Sequence, residues 1–476
     1  MPAFLIPAVP ELFMAIAAMV LLLAGVFREK DSTAILSWLS VGVMAVAVGL
    51  ILNIKGSGTA FNDLFVVNAF TSFAKILTLI GAGLTLLLIN SWAHEENVAR
   101  FELPVIVLFS TIGMMMMISA NDLISLYVGL ELQSLSLYVL AAFRRDNARS
   151  TEAGVKYFVL GALASGLLLY GSSLVYGFGG TTTFDGLATA IKSGPSSVGV
   201  IVGVVFVISG LAFKVSAAPF HMWTPDVYEG APTPITAFFS VAPKVAALCL
   251  FLRVLVGPFA PMIEQWQQVI VLISILSMLW GSVAAITQKN IKRLMAYSSI
   301  GHVGYALIGL AVGNEEGARG LLFYLLIYVL MNVGTFAVIL SMRVKGRYVE
   351  DITDLAGLAK HNPLMAAALA ALMFSMAGIP PLAGFLGKYF IFVAAVNAGF
   401  VPLAIIGLLA SVIGAFYYIR IIKLAYFDEA TVRLDKPGLL TGVLMAASSI
   451  LMLVYFIYPA QLVSGAESAA KALFLG

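Results

Sequence analysis

About fourteen apolar runs, each of roughly 20 residues, follow one another along this 476-residue chain. A run of that length crosses a hydrocarbon core of about 30 Å as a helix. Lipid offers no partner to an exposed backbone group, so only helices and closed barrels can span it, and a barrel needs alternating stretches of about ten residues that this chain lacks. The expected fold is therefore an all-α polytopic membrane protein. Composition agrees: 61% of residues are hydrophobic and 11% charged, where a soluble domain carries about 25% charged residues. The single cysteine, Cys249, allows neither an intrachain disulfide nor a cysteine-ligated iron–sulfur cluster. The near-neutral net charge of +3 says little about partners; the apolar runs make the lipid bilayer one, and no nucleic acid is expected.

Basic residues set the expected orientation. Of 27 lysines and arginines, 17 fall in loops after odd-numbered spans and 5 in loops after even-numbered spans or the C-terminal tail, which places both termini outside. The first run, followed by Arg28 and Lys30 and lacking a small-residue cleavage site, reads as a retained span. The spans that carry chemistry are the fifth (121–143), sixth (153–177), seventh (198–220), eighth (233–256), tenth (293–312) and twelfth (363–396). The longest gaps, near 178–197 and 343–362, contain no soluble domain.

The remaining five lysines, Lys75, Lys156, Lys214, Lys244 and Lys388, fall inside apolar runs. A lysine near mid-membrane costs about 2.5–3.5 kcal/mol on insertion scales, so several in one chain mark an ion pathway. Lys75 lies near the outer end of its span, where snorkelling serves as well, and Lys156 sits beside the inner-face cluster Arg144–Arg149. Glu131 is the one carboxylate well inside a run, and His302 stands among Tyr297, Ser298, Ser299 and Tyr305. A poorly hydrated ammonium gives up its proton more readily than one in water, and a carboxylate beside it responds to that loss, so such groups suit proton transfer. A structural ion pair, or an interior histidine with satisfied hydrogen bonds, is the alternative.

Spans seven and twelve read as broken. One holds Lys214-Val-Ser-Ala-Ala-Pro219 and the other Gly378-Ile-Pro380-Pro381-Leu-Ala-Gly384-Phe-Leu-Gly387-Lys388. Broken helices at membrane depth line polar cavities, and paired breaks in corresponding halves point to a transport site. Matching spans four to eight with nine to thirteen aligns Lys214 with Lys388 and Glu131 with His302. The odd offset of five spans gives two inverted five-helix repeats. The expected organisation is an N-terminal three-helix segment (1–102), a first repeat (103–256), a second (266–426) and a C-terminal helix and tail (427–476). Met114–Met117 reads as apolar filler, and Gly301-His-Val-Gly304 follows no strand and is no nucleotide loop.

The stretch Phe213-Lys-Val-Ser-Ala-Ala-Pro-Phe-His-Met-Trp-Thr-Pro-Asp-Val-Tyr-Glu-Gly-Ala-Pro-Thr-Pro234, followed by Lys244, resembles the signature of the antiporter-like subunits of bacterial respiratory complex I, the proton-translocating NADH-quinone oxidoreductase. Gly129-Leu-Glu-Leu132, Asn290-Ile-Lys-Arg-Leu294, Tyr297-Ser-Ser-Ile300 and Ala377-Gly-Ile-Pro380 extend the likeness over essentially the whole chain. It implies a fourteen-helix fold. It also implies that Glu131 and Lys214 form the charge pair of an inward half-channel, Lys244 the link to the centre, His302 part of a central relay and Lys388 the end of an outward half-channel. Lys156 falls where the family often has a helix-six lysine. By the same resemblance the chain carries no cofactor. NADH, FMN, iron–sulfur clusters and quinone belong to partner subunits. The partners are other membrane subunits of the complex, both antiporter-like and small ones, in the bacterial inner membrane. A subunit of a multisubunit sodium/proton antiporter would share these motifs. A haem- or quinone-binding subunit rests only on His94, His221, His302 and His361.

Overall fold

The computed structural model describes residues 3–28, 32–54, 56–96, 98–193 and 197–474. Lys30 lies outside them, and so does the side chain of His94. The chain is a succession of helices: α1 (Val9–Val26), α2 (Thr33–Asn53), α3 (Ala69–Glu95), α4 (Glu102–Ser119), α5 (Leu123–Ala141), α6 (Ala148–Gly179), α7 (Phe184–Ser193), α8 (Val198–Val215), α9 (Thr224–Gly230) and α10 (Thr233–Val256). After these come α11 (Ile263–Ile286), α12 (Ile291–Val312), α13 (Glu315–Leu340), α14 (Leu358–His361), α15 (Pro363–Ala377), α16 (Ala383–Asn397), α17 (Val401–Phe427), α18 (Leu439–Ile457) and α19 (Ala460–Phe474). Two short antiparallel hairpins, β1 (Gly58–Ala60) with β2 (Phe65–Val67) and β3 (Arg343–Val344) with β4 (Arg347–Tyr348), lie in loops.

Among the described residues, thirteen helices are long and apolar enough to cross a membrane, and the shorter pair α15 and α16 takes the place of one more, which agrees with the expected fourteen. Helix boundaries follow local chemistry. Asn147, Asp122, Asn290 and Asn314 accept hydrogen bonds from the first backbone N–H groups of α6, α5, α12 and α13. Gly378 ends α15 at φ 83°, a left-handed conformation that glycine adopts without a Cβ clash. The cap at Asn147 starts α6 several residues before the expected 153, giving a helix of 32 residues that outruns the bilayer core.

α10 is buried along its whole length, and α12 and α13 nearly so. They form the centre, while α1, α2, α6, α17 and α18 turn large apolar side chains such as Leu23, Trp38, Leu163, Val412 and Ile450 outward, as a lipid-facing layer requires. α4 packs on α5, and α11 on α12, by direct backbone approach. A Cβ on Gly129 would stand 2.7 Å from the Met117 nitrogen, and one on Gly281 would stand 2.5 Å from the Gly301 nitrogen. These hairpins hold corresponding positions in the two halves. The expected tail is in part helical: α19 buries Ala466, Ala469 and Ala470 and packs on α3 and α13. The long gaps contain α7 in one case and the β3–β4 hairpin with α14 in the other.

Candidate functional site

The first break begins at Ser216, whose left-handed φ of 67° ends α8; Pro219 follows and lacks a backbone donor. The carbonyls freed at the end of α8 find side-chain donors. The Trp223 indole N–H donates to Phe213 O at 3.0 Å, and Lys244 Nζ, from mid-α10, reaches Val215 O at 3.5 Å. Lys214, in the last turn of α8, is buried and donates to Ser134 Oγ at 2.7 Å and to the Tyr138 hydroxyl at 3.4 Å. Glu131 accepts from the Ser165 hydroxyl on α6. The expected contact between Glu131 and Lys214 is absent: no ion pair joins them among the described residues, although they lie within electrostatic range. Glu131, Ser134 and Tyr138 are spaced three and four apart on one face of α5, and the ammonium meets the two hydroxyls of that ladder rather than its carboxylate.

The second break repeats the device. α15 ends at Gly378, the chain turns through Pro380 and Pro381, and Ser375 Oγ accepts from the Gly384 N–H that opens α16. Lys388 Nζ donates to Ala377 O, at the end of α15, at 2.9 Å and to Ser411 Oγ on α17 at 2.7 Å, and it lies over the Tyr305 ring. At each break, then, a buried ammonium reaches the carbonyl end of the helix that stops there, where the dipole is negative.

Between the two breaks lies a line of aromatic hydroxyls. Lys244 sits over the ring of Tyr228, whose own hydroxyl lies beside Ser299 and within electrostatic range of Tyr328. Tyr328 exchanges a hydrogen bond with Ser299 at 2.8 Å. His302 Nδ1 meets the Tyr324 hydroxyl at 2.5 Å, and Nε2 meets the Tyr418 hydroxyl at 3.0 Å; Tyr418 in turn meets Ser298. His302 is within electrostatic range of both Lys244 and Lys388.

Lys156 stands apart from this line. It pairs with Glu152 at 2.7 Å and Asp226 at 2.9 Å, and Arg293 joins Asp226 and Glu229. The cluster ties α6, α9 and α12 together at one end of the bundle. Burial pushes the Asp226 carboxyl up, but hydrogen bonds from Lys156 and Arg293 outweigh it and hold the group below its ordinary range. Lys75 does not snorkel. It is 1% exposed and pairs at 2.6 Å with Glu11 on α1, a carboxylate near a span end that the fold nevertheless buries.

The family described as NADH:quinone oxidoreductase/Mrp antiporter, TM, matches residues 120–414. A NADH-quinone oxidoreductase subunit N from Rhodospirillum rubrum is 64% identical over 472 residues, covering 98% of this chain and 97% of that protein. The chain belongs to the NADH-quinone oxidoreductase subunit N family. Another subunit N, from Paramagnetospirillum magneticum, is 57% identical over 99% of this chain and 98% of its own length. Among solved structures, respiratory complex I from Thermus thermophilus contains a chain 32% identical, with a TM-score of 0.81, covering 96% of this chain and 98% of that one. A chain of the Mrp complex from Dietzia is 22% identical over 98% of this chain and 97% of its own, and its TM-score of 0.87 shows a shared fold.

In this subunit N family member, the sequence reading found the lysines and missed most of what holds them. Tyr324, Tyr328 and Asn332 recur every four residues on the otherwise apolar α13, and Ser298, His302 and Tyr305 fall on one face of α12. That spacing was the available signal. Tyr418 and Ser411, on α17, carry no such mark, and their roles come only from tertiary packing.

Proposed function

We propose that this chain is a proton-translocating membrane subunit of NADH-quinone oxidoreductase, moving protons through two half-channels joined at the centre and driven by redox chemistry in partner subunits. NADH, FMN, iron–sulfur clusters and quinone act on those partners, and this chain supplies the proton path. Its partners are the neighbouring antiporter-like and small membrane subunits, in a bacterial inner membrane with both termini outside. The observation that carries the reading is the run of buried titratable and hydroxyl groups from Lys214 through Lys244 and His302 to Lys388. Several costly ionisable groups on one line through an apolar core mark an ion pathway, and lysine, histidine and tyrosine are groups that hand on protons.

In this mechanism the first repeat (103–256) takes a proton from the inner face past Lys156 and Glu131. Protonation changes at Glu131 act on Lys214 across Ser134. Lys244 passes the proton through Tyr228, Tyr328 and His302, and Lys388, in the second repeat (266–426), releases it outside through Ser411. Tyrosine hydroxyls both donate and accept, so each can hand on a proton without holding net charge. Replacing Lys244 by methionine in the intact reconstituted complex tests the central link. NADH oxidation by an artificial acceptor should persist and protons moved per electron should fall; an unchanged ratio would remove Lys244 from the path. Proton movement that required sodium would favour the reading as a multisubunit sodium/proton antiporter component, whose support here is the shared fold with the Mrp complex.

A further inference from the structure

Both halves tie one end with the same knot. At the end of α4, Arg253 from α10 donates to Ile118 O at 2.8 Å and to Asn121 Oδ1 at 2.9 Å. At the end of α11, Arg420 from α17 donates to Ile286 O at 3.0 Å. The backbone around each arginine repeats as well. Leu123 N–H donates to Thr182 O and Phe184 N–H to Asn121 O, while Ile291 N–H donates to Glu350 O and Ile352 N–H to Lys289 O. The helix caps Asp122 and Asn290 form isolated bridges with Thr183 and Asp351. Each of these groups in the first half recurs in the second at a near-constant distance along the chain. In the orientation set by the basic loops, Arg253 lies at the outer end of the first half and Arg420 at the inner end of the second. Those are the ends that have to stay shut if the first half opens inward and the second outward.

Arg253 is 6% exposed and lies over the Phe184 ring at 5.6 Å. Among the described residues no carboxylate contacts it; Asp185 stands only within electrostatic range, and the nearby Lys75 ammonium is already matched by Glu11. Its charge is therefore not cancelled by contact. Lys244 stands about 14 Å back along the same helix. Between them Val245 to Leu252 are all buried and offer no polar side chain except the Cys249 thiol. Arg420 is half-buried, just beyond Tyr418 toward the inner end of α17. A guanidinium cannot hand a proton on, since it has no acceptor and stays protonated in proteins, and a fixed positive charge repels hydronium and other cations. Capping a helix carbonyl asks for a donor only, which a neutral side chain supplies.

We propose that Arg253 and Arg420 are electrostatic plugs, one in each half-channel, that bar protons from crossing between Lys244 and the outside and between Lys388 and the inside. The proposal rests on the functional reading above for the direction in which each half opens.

The test is passive proton leak in proteoliposomes of the intact complex, under an imposed pH gradient and without NADH. Arg253→Gln keeps a donor for Ile118 O and removes the charge, so leak should rise about tenfold, equivalent to about 1.4 kcal/mol off the barrier. Arg253→Lys retains the charge and should leak no more than wild type. Adding Lys244→Met to Arg253→Gln should restore the wild-type leak, which separates conduction through the half-channel from a packing defect. Arg420→Gln, with and without Lys388→Met, is the second pair and carries the test alone if position 253 does not tolerate glutamine. Glutamine variants as tight as wild type, Arg253→Lys as leaky as Arg253→Gln, or leak that survives loss of the lysine overturns the proposal. The half-channel reading is judged separately, by protons moved per electron in Lys244→Met.

Discussion

Lys388→Arg separates a fixed charge from a proton carrier. The cavity of about 370 Å³ beside Lys388, walled by Phe385, Tyr389 and Phe392, has room for a guanidinium, which can still donate to Ala377 O and Ser411 Oγ. Folding and assembly should therefore survive. Proton release should not. A guanidinium stays protonated far above pH 7 and gives up its proton there only at a cost of about 7 kcal/mol, which suppresses the deprotonated form roughly 10⁵-fold. The assay is the complex reconstituted in proteoliposomes, with protons moved per electron measured alongside NADH oxidation by an artificial acceptor. The ratio should fall by this subunit's share while acceptor reduction stays near wild type. A wild-type ratio in Lys388→Arg would refute the reasoning, because it would show that position 388 supplies only charge and a helix cap.

Tyr418→Phe removes the hydroxyl shared by His302 and Ser298; leaving buried partners unmatched should lower stability by about 1–3 kcal/mol, read as thermal unfolding, together with proton transport. Lys75→Met strands the Glu11 carboxylate and should cost about 3–5 kcal/mol, while Lys75→Met combined with Glu11→Leu should recover most of it, as judged by yield of folded protein. Gly129→Val drives a side chain into the backbone of α4 and should block accumulation in membranes, whereas Gly166→Ala, with nothing within 4 Å, should be silent. Asp226 has a folded-state pKa below its unfolded one, so its contribution to stability is present above the ordinary carboxylate range and is lost as pH falls through the depressed value. Asp226→Asn should flatten the stability profile on the acid side, and an unchanged acid limb would count against the Lys156 and Arg293 contacts.

The spans, the breaks and the buried lysines were legible because a membrane forces each to be conspicuous. About 20 apolar residues are needed to cross, and a lysine among them is costly enough to stand out. Pairing was not legible. Glu131 and Lys214 are the obvious opposite charges, yet each bonds to a serine instead, and nothing in the sequence weighs Ser134 and Ser165 against a direct contact. Lys75 read as an anchor because its distance from the span end is a property of one helix, while its burial depends on where α1 carries Glu11. Alanine-rich α19 passed for a tail since its apolar face is made of small residues.

The capping lysines carry a mechanical consequence. Lys388 completes the hydrogen bonding of α15 at Ala377, and Lys244 reaches toward the end of α8 at Val215. An ionised donor holds a carbonyl roughly twice as firmly as a neutral one. A proton that leaves either lysine thus loosens the last turn of a helix rooted elsewhere in the bundle. Charge state and backbone fit are one variable at these two points, so a chemical event a few ångströms wide registers along a whole helix without any domain having to swing.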